Sequence, residues 1–394
     1  MAGCLAATVV GGGIAGLASA VSLAQAGWQT TVLEAAPAFG EVGAGLAITP
    51  NGMAALDALG LGEAVRTAAH RVVSAGFQDR TGRWLLRIPE TPALAPTTTI
   101  WGIHRQRLHA ALRQAAEAAD GVTLVTGARV TSVRPGAPGG GHAGVTWRTG
   151  DDEHTSSADL VVGADGVWST VRAQVFPDAR PAYTGSTSWR AVIADAGTDD
   201  RFVEVWGPGT EFGALRVSDT ETYWYGQFRH PPGSSFDDEP AAARRCFSAW
   251  APRVRALVDA TAPDQLLRHD VYHLPGGLPT YVCGRIAMVG DAAHAAQTTA
   301  GQGAASALED GICVGRLIAA PAARGDDLAS ALAAFDRARR PRCRQLARQA
   351  LMIARLGYEV GPGWRQSARN AFLRLVPAAI AVKAGAGVVA WTPP

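Results

Sequence analysis

The stretch Thr8-Val9-Val10-Gly11-Gly12-Gly13-Ile14-Ala15-Gly16 joins a short apolar run to the start of a helical pattern. Residues 5–10 are mostly apolar and are followed by glycine, which is typical of a buried parallel strand. Gly11, Gly13 and Gly16 fit the spacing G-x-G-x-x-G, which allows a tight turn, a close backbone approach to a pyrophosphate and close helix packing. The helix that follows would point its positive end at the phosphates.

A second apolar run, Gln29 to Leu33, predicts the next strand, and Glu34 follows it directly. At this place in a β-α-β unit, a carboxylate accepts hydrogen bonds from the ribose of an adenosine. Strand, helix, strand and acid in this order predict a dinucleotide-binding unit. Residues 139–144 also fit the glycine spacing, but they follow a Pro-rich segment and precede a strand-like run, so we interpret them as a hairpin loop.

Composition excludes several classes of function. The chain has 394 residues, 47% of them hydrophobic, and can bury a large core in two domains. Its net charge of +2 gives no reason to expect a nucleic-acid partner. The only lysine, Lys383, lies in an Ala/Gly-rich tail, which argues against a pyridoxal Schiff base and against a Walker A loop.

The cysteines and histidines predict no metal site and no disulfide framework. The five cysteines are scattered without a C-x-x-C pair, which favours a reducing, cytoplasmic environment. The N-terminus lacks a basic segment and does not resemble a signal peptide. Arg374 and Lys383 divide the apolar tail into runs too short to span a bilayer, so a packed or amphipathic helix is expected and surface association stays open.

The order of the patterns predicts a discontinuous nucleotide-binding domain. Helix and strand signals alternate over the first 180 residues, and residues 183–228 then read as short aromatic-rich strands. A buried strand returns at 285–289 and ends in Gly290-Asp291. Long helical patterns cover 303–320 and 327–356. A β-rich insert therefore separates the parts of one α/β domain.

Three motifs in this order resemble the single-component (class A) FAD-dependent aromatic hydroxylase and epoxidase family of flavoprotein monooxygenases. They are residues 11–16, residues 163–172 (Gly-Ala-Asp-Gly-Val-Trp-Ser-Thr-Val-Arg) and residues 290–294 (Gly-Asp-Ala-Ala-His). The resemblance runs from Val9 to at least Arg344. It implies an α/β fold with a Rossmann-like three-layer FAD-binding domain, an inserted β-sheet substrate domain and C-terminal helices.

The resemblance also implies domain bounds. The FAD-binding domain is expected at 1–71, 101–177 and 277–350, the substrate domain at 72–100 and 178–276, and a C-terminal helical segment at 351–394.

The cofactors implied by the resemblance are FAD and NAD(P)H. Asp291 would hold the ribityl chain, Arg105 would contact the flavin phosphates, and Asp165 is associated with both FAD and the nicotinamide. A helix cap for Asp291, a surface arginine for Arg105 and a structural turn for Asp165 remain alternatives. The predicted FAD-binding residues are Gly11, Gly13, Ile14, Ala15, Gly16, Glu34, Gly45, Leu46, Arg105, Val130, Asp165, Asp291, Gly301, Gly303 and Ala304.

The activity implied is monooxygenation with NAD(P)H and O2, in which a C4a-hydroperoxyflavin hydroxylates an electron-rich aromatic, phenolic or polycyclic small molecule. Epoxidation of an olefin and a non-oxygenating FAD reductase or dehydrogenase are alternatives, and so is a flavin-binding protein without turnover. Such chemistry requires no protein nucleophile. No membrane span is expected, and the oligomeric state is left open.

One segment departs from the family pattern. Many relatives carry a proline between the His of the third motif and Gly-Gln-Gly, whereas residues 295–300 contain none. Gln297 and Thr298 become candidates for hydrogen bonds to substrate or peroxide, with a polar loop in solvent as the alternative. The other candidate catalytic residues, Arg190, Glu211 and Tyr225, lie on the insert, where surface or structural roles are the alternative.

Overall fold

The computed structural model describes residues 4–40, 43–194 and 197–394. The strands are β1 (Ala6–Val10), β2 (Gln29–Leu33), β3 (Gly45–Ile48), β4 (His70–Asp79), β5 (Trp84–Arg87), β6 (Thr99–His104), β7 (Val122–Val125), β8 (Ala128–Arg134), β9 (Ala143–Thr149), β10 (Asp152–Ala158), β11 (Leu160–Gly163), β12 (Ala182–Ala194), β13 (Arg201–Gly207), β14 (Thr210–Arg216), β15 (Glu221–Arg229), β16 (Leu267–His273), β17 (Val282–Cys283) and β18 (Ile286–Met288).

The α-helices are α1 (Ile14–Gln25), α2 (Pro50–Ala58), α3 (Gly62–Ala68), α4 (Ala95–Thr98), α5 (Arg105–Ala118), α6 (Thr170–Val175), α7 (Glu239–Phe247), α8 (Pro252–Asp259), α9 (Asp291–His294), α10 (Gly303–Cys313), α11 (Ala320–Ala323), α12 (Leu328–Leu356), α13 (Trp364–Leu375) and α14 (Ala378–Val389). Short 3₁₀ helices lie at Pro263–Gln265 and Thr298–Ala300, and a π-helical stretch, Val314–Ala319, joins α10 to α11.

The nucleotide-binding part of the chain is built on a six-stranded sheet in the order β17-β18-β11-β1-β2-β7. Its pairs are parallel except β17-β18, and Val9 on β1 is aligned with Val162 on one side and Val32 on the other. Helices α1, α5 and α10 pack together beside this sheet, and the three-stranded sheet β10-β9-β8 contacts β1, β2 and β11. The predicted β1-α1-β2 unit and the three-layer arrangement are confirmed. Residues 139–144 lie in the β8-β9 hairpin, as predicted.

The second part is built on a nine-stranded sheet in the order β16-β12-β15-β14-β13-β4-β6-β3, with β5 paired to β4. Helices α7 and α8 cover one of its faces, where Trp189, Phe212 and Trp224 lie in a buried core. This sheet crosses the predicted boundary near residue 101, because β3 and part of β6 come from segments expected in the FAD-binding domain. The other face of the sheet is turned toward the nucleotide-binding part of the chain.

The C-terminal region is helical, as expected. Helix α12 begins after Asp327, whose carboxylate accepts hydrogen bonds from the Ala329 and Ser330 amides, so the predicted start is confirmed. Helices α13 and α14 follow. None of the helices in residues 4–40, 43–194 and 197–394 is long and apolar enough to cross a bilayer alone. Helices α13 and α14 meet that length and composition only as a pair, and the pair is bent by 96°.

Candidate active site

The turn between β1 and α1 has the shape expected for a pyrophosphate site. Gly11 has φ +101°, and a Cβ there would lie 2.4 Å from the Ala164 carbonyl oxygen. A Cβ on Gly16 would lie 1.9 Å from the Gly11 oxygen, so both positions require glycine. A Cβ on Gly13, the N-cap of α1, would meet no atom within 4 Å. The first turn of α1 therefore faces open space, as binding of a pyrophosphate requires.

Glu34 lies beside this turn at the carboxyl end of β2. Its two oxygens accept hydrogen bonds from the amides of Gly12, at 2.7 Å, and Ala36, at 2.8 Å, which fix the carboxylate in place. The buried His109 of α5 forms a hydrogen bond through Nε2 to the Gly12 carbonyl oxygen at 2.8 Å and so supports the turn. His109 escaped the sequence analysis because its partner is a backbone atom 97 residues away.

The third motif presents Asp291 at the start of α9. Gly290, with φ +57°, takes the N-cap position, so Asp291 is the first helical residue and not the cap, and its side chain is exposed. A Cβ on Gly301 or Gly303 would also meet no atom within 4 Å. Helix α10 begins at Gly303, so its first amides have no partner within the helix. Residues 291 and 301–304 therefore fit the ribityl and ring edge of a flavin.

A buried ion network holds this motif in place. Asp310 accepts hydrogen bonds from the Gly290 amide at 2.8 Å, from His294 Nε2 at 2.6 Å and from Arg339 Nε at 2.6 Å, and Arg339 also pairs with Glu309 at 2.5 Å. Burial alone would raise the pKa of Asp310, but the charges of His294 and Arg339 bring it to about 2. The pKa of His294 is raised despite burial, because Asp310 is adjacent. The network therefore fixes the segment that presents Asp291.

The same network contains a group of possible metal ligands that the sequence analysis did not find. One ligand atom each from His294, Asp310 and Cys343 lies within 4.8 Å of the others. Arg339 donates to both Asp310 and Cys343, the latter at 3.4 Å. A guanidinium therefore holds the place that a cation would take.

A second set of contacts ties Gly301-Gln302-Gly303 to α2. Asn51 Nδ2 donates to Gln302 Oε1 at 2.9 Å and to Glu309 Oε1 at 2.6 Å. Gln302 Nε2 donates to Thr49 Oγ1 at 3.2 Å. The Gln302 side chain therefore forms hydrogen bonds within the protein. The backbone of Gly301 and Gly303 on either side of it remains accessible to a ligand. Partners 251 residues apart were beyond any pattern in the sequence.

Other predicted cofactor residues lie in different surroundings. The Asp165 carboxylate accepts from Ser169 Oγ at 2.5 Å and from the Val171 amide at 3.0 Å, and burial raises its pKa. These contacts favour the structural-turn alternative for Asp165. Val130 is buried in β8 of the three-stranded sheet. The roles of Asp165 and Val130 toward FAD stay predictions.

Arg105 begins α5, and its amide donates to the Ala44 oxygen at 2.8 Å, next to Gly45 and Leu46 of β3. Burial, Arg190 and Arg105 together lower the pKa of His269 on β16. Arg105 was predicted to bind FAD, and Arg190 is a candidate catalytic residue. Both arginine charges influence the same histidine of the sheet, His269.

The uncovered face of the nine-stranded sheet carries the candidate catalytic residues. Side chains alternate along a strand, so residues between those of the buried core point to this face. Register aligns Arg190 with Tyr225, Tyr225 with Gly213, and Gly213 with Glu204. A Cβ on Gly213 would lie 2.5 Å from the Tyr225 ring, so the missing side chain makes room for that ring. In the neighbouring row, Glu211 is aligned with Gln227.

The segment without proline contacts Gln227, two residues after Tyr225 on β15. Thr298 Oγ1 donates to Gln227 Oε1 at 2.7 Å, and Tyr358 donates to Gln297 Oε1 at 3.4 Å. Thr299 donates to the Ala350 oxygen of α12 at 2.6 Å. Gln297 and Thr299 are buried, so the segment is braced between sheet and helix, whereas Thr298 is exposed. The burial argues against a polar loop in solvent for Gln297, and that alternative stays open for Thr298.

Strand β3 approaches β15 two residues before Tyr225, because a Cβ on Gly45 would lie 2.2 Å from Tyr223. Tyr225 and its neighbour Arg190 lie between these two contacts. Gln297, Thr298, Arg190 and Tyr225 are thus brought to one region.

Two buried glutamates form the most unusual part of the site. Glu204 and Glu211 are 6% and 1% exposed, and Glu204 Oε1 accepts from Trp206 Nε1 at 2.7 Å. Neither oxygen of Glu211 has a hydrogen-bond donor among the described residues. Burial raises the pKa of Glu204 to about 7, and burial and the charge of Glu204 raise that of Glu211 well above its usual value. At least one carboxyl of the pair is therefore protonated near neutral pH.

Known proteins of similar sequence act on small ring compounds. A family model described as an FAD binding domain matches residues 5–350. The chain is 32% identical over 360 residues to the aurachin C monooxygenase/isomerase of Stigmatella aurantiaca, with 90% of each chain covered. It is 30% identical over 379 residues to the 2-heptyl-3-hydroxy-4(1H)-quinolone synthase of Pseudomonas aeruginosa, with 94% of each covered.

A solved structure has the same fold. Klebsiella pneumoniae HpxO complexed with FAD and uric acid superposes with a TM-score of 0.83 at 25% sequence identity. The match covers 98% of this chain and 96% of that one. Both the nucleotide-binding part and the nine-stranded sheet lie within the matched length.

Proposed function

The chain belongs to the FAD-binding-domain family of flavoprotein monooxygenases, and on this basis we propose that its substrate is a neutral fused-ring nitrogen heterocycle of the 4-quinolone type. The family membership makes the protein an NAD(P)H-dependent, FAD-containing enzyme that hydroxylates a small aromatic molecule with O2. The substrate class and the roles of individual residues are the proposal.

One observation carries this choice of substrate: the buried glutamate pair lies on the same sheet face as Arg190, Tyr225 and Gln227. A carboxyl pair that retains one proton has one O–H donor and free acceptor oxygens for a ligand. The ring N–H and the carbonyl oxygen of a quinolone need one acceptor and one donor. A second anion beside Glu204 and Glu211 would be costly in a dry site, so a neutral ring is favoured over a benzoate. Two relatives named for quinolone or aurachin chemistry support this class.

FAD fits the open backbone at residues 13, 301 and 303, and it would supply the oxygen chemistry when bound. Glu34 and the first turn of α1 would hold its adenosine and pyrophosphate. Asp291 and the first amides of α10 would hold the ribityl chain and the ring edge. These assignments use exposed or open positions and leave the buried network of Asp310 intact.

The chain's own residues bind the substrate ring and keep water away from it. Tyr225 stays protonated, because burial and the neighbouring glutamates raise the pKa of its hydroxyl well above the usual value. Tyr225 and Arg190 therefore act as donors toward a carbonyl oxygen. Gln297 is held by Tyr358, and Thr298 is held by Gln227. These two residues would shield one side of the bound ring from water.

The proposal also covers the compartment. All five cysteines lie among the described residues and are free thiols, which supports a reducing, cytoplasmic environment.

A substrate panel tests the proposal. NAD(P)H oxidation, hydrogen peroxide release and incorporation of isotope-labelled O2 would be measured with 4-quinolones, phenols, benzoates and purines. We expect tight coupling and labelled product with a quinolone. Tight coupling only with a benzoate or a purine would refute the substrate class and keep the monooxygenase. NAD(P)H oxidation without peroxide release and without labelled product from any compound would favour the non-oxygenating alternative.

A further inference from the structure

The C-terminal helices expose an unusual amount of apolar surface. Seven large hydrophobic side chains are exposed among the described residues, and all except Trp168 lie within residues 352–380. The six are Met352, Leu356, Trp364, Phe372, Leu375 and Ile380. Isolated exposed apolar residues are ordinary, but a concentration in one short segment marks an interaction surface.

Helix α13 turns its apolar side away from the protein. Trp364, Phe372 and Leu375 are 76%, 60% and 81% exposed, and with Ala368 and Ala371 they form one stripe about 100° wide. We call this stripe the outer stripe. In an ordinary surface helix the apolar stripe faces the core. The outer stripe is therefore an apolar surface that the rest of the described chain does not cover.

The orientation of α13 is fixed by contacts on its inner side. Leu373 packs with Leu85 and Trp206. Arg369 donates to the Leu356 oxygen at 2.7 Å and to the Gly357 oxygen at 2.8 Å, and it lies over the Trp206 ring at 5.3 Å. A rotation of α13 that buried the outer stripe would break all three contacts of the buried Arg369. The stripe is thus held outward.

The charged residues of α13 and α14 are all basic. Residues 360–394 contain no Asp or Glu but four basic residues, Arg365, Arg369, Arg374 and Lys383. Arg365 and Arg374 flank the stripe on opposite sides, although Arg374 also pairs with Asp79 at 3.1 Å. Helix α14 adds an apolar segment without buried residues and is attached near its end by Arg342, which donates to the Gly387 oxygen at 2.7 Å.

We propose that α13 and α14 dock the protein on an anionic lipid surface, with the outer stripe in the boundary between headgroups and acyl chains. An apolar stripe flanked by basic residues, with a tryptophan among its members, has the composition of an interfacial helix. The bend of 96° between the helices suits a pair that lies on a surface and does not cross it. A second copy is the less favourable partner, because a two-fold interface would bring two basic segments together.

Docking would bring the active site close to the membrane. Tyr358, between α12 and α13, reaches Gln297 at the edge of the site. A lipophilic substrate dissolved in the bilayer would then meet the enzyme at the surface. The docking proposal depends on the helices alone and stands or falls separately from the choice of a quinolone.

Flotation with lipid vesicles tests the proposal on the full-length, flavin-containing protein. We expect binding to mixed phosphatidylcholine and phosphatidylglycerol vesicles, weaker binding to phosphatidylcholine alone, and loss of binding at high salt. Arg365→Gln should weaken binding about fivefold. Its matched control is Arg148→Gln on β9, which removes an exposed charge outside the helices and should leave binding unchanged.

The apolar contribution is tested with Phe372→Ser/Leu375→Ser, which should weaken binding at least about tenfold. Trp168→Ser, which removes a side chain that is 63% exposed elsewhere, should not weaken it. Flavin content and far-UV circular dichroism would show that the variants are folded. Failure of the wild type to bind either vesicle would overturn the proposal. A second result would also overturn the proposal: light scattering that finds the wild type to be a dimer and the Phe372/Leu375 variant to be a monomer. The outer stripe would then bind a second copy of the chain.

Discussion

The glutamate pair should make the stability of the protein depend on pH in a specific direction. Burial raises the pKa of Glu204 from 4.5 to about 7. A carboxyl whose pKa is raised in the folded state binds more protons there than in the unfolded chain. Its contribution to stability is therefore complete below pH 4.5 and is lost as the pH rises to about 7. A difference of about 2.5 pKa units corresponds to a loss of about 3 kcal/mol.

Glu211→Gln is the perturbation that isolates this effect. A glutamine cannot ionise, so the variant removes the carboxyl whose pKa burial and the charge of Glu204 raise well above its usual value. At about pH 5 the variant and the wild type should have similar free energies of unfolding. Above about pH 7 the variant should be the more stable of the two, by about 1.4 kcal/mol for each pKa unit by which the folded wild type raises Glu211.

The assay is urea unfolding of both proteins at several values between about pH 5 and about pH 9, with Glu153→Gln as the control. Glu153 is exposed on β10, so its replacement should leave the pH profile unchanged. Parallel profiles of wild type and Glu211→Gln over the whole range would refute the reasoning. They would mean that the two carboxyls do not share a proton and that water or another group solvates Glu211.

Three further outcomes follow from the site. Asp291→Ala should weaken FAD retention about ten- to a hundredfold, whereas Asp219→Ala in the β14-β15 turn should not; equal flavin content by absorbance in the two variants would remove Asp291 from the cofactor site. Replacing Gln297 and Thr298 by alanine should leave flavin reduction by NAD(P)H nearly intact while peroxide release rises and product falls, and unaltered coupling would deny the segment its role. Arg339→Met should cost about 3–5 kcal/mol in the free energy of unfolding and lower flavin content, because Asp310 loses its buried partner; a calorimetric midpoint equal to that of the wild type would contradict this.

The sequence alone determined the elements that we propose to bind the cofactor, because each lies within a short stretch of chain. The turn at 11–16, the strand that precedes Glu34 and the helix that begins at Gly303 are local patterns of apolar residues and glycine, and each was found at the predicted place. The motifs at residues 11–16, 163–172 and 290–294 predicted the three-layer fold through the family that they resemble. Local patterns of this kind depend on periods of two or 3.6 residues, which a sequence displays directly.

Only the tertiary structure decided which side chains meet. Glu204 became adjacent to Glu211 through the register of two antiparallel strands, and a shift of one strand by one residue would have turned its glutamate to the opposite face. Gln297 acquired Tyr358 from a helix end 61 residues away. The direction of the α13 stripe depended on the side that Arg369 and Leu373 bury. Such contacts arise from packing between distant segments, and a single sequence carries no local signal for them.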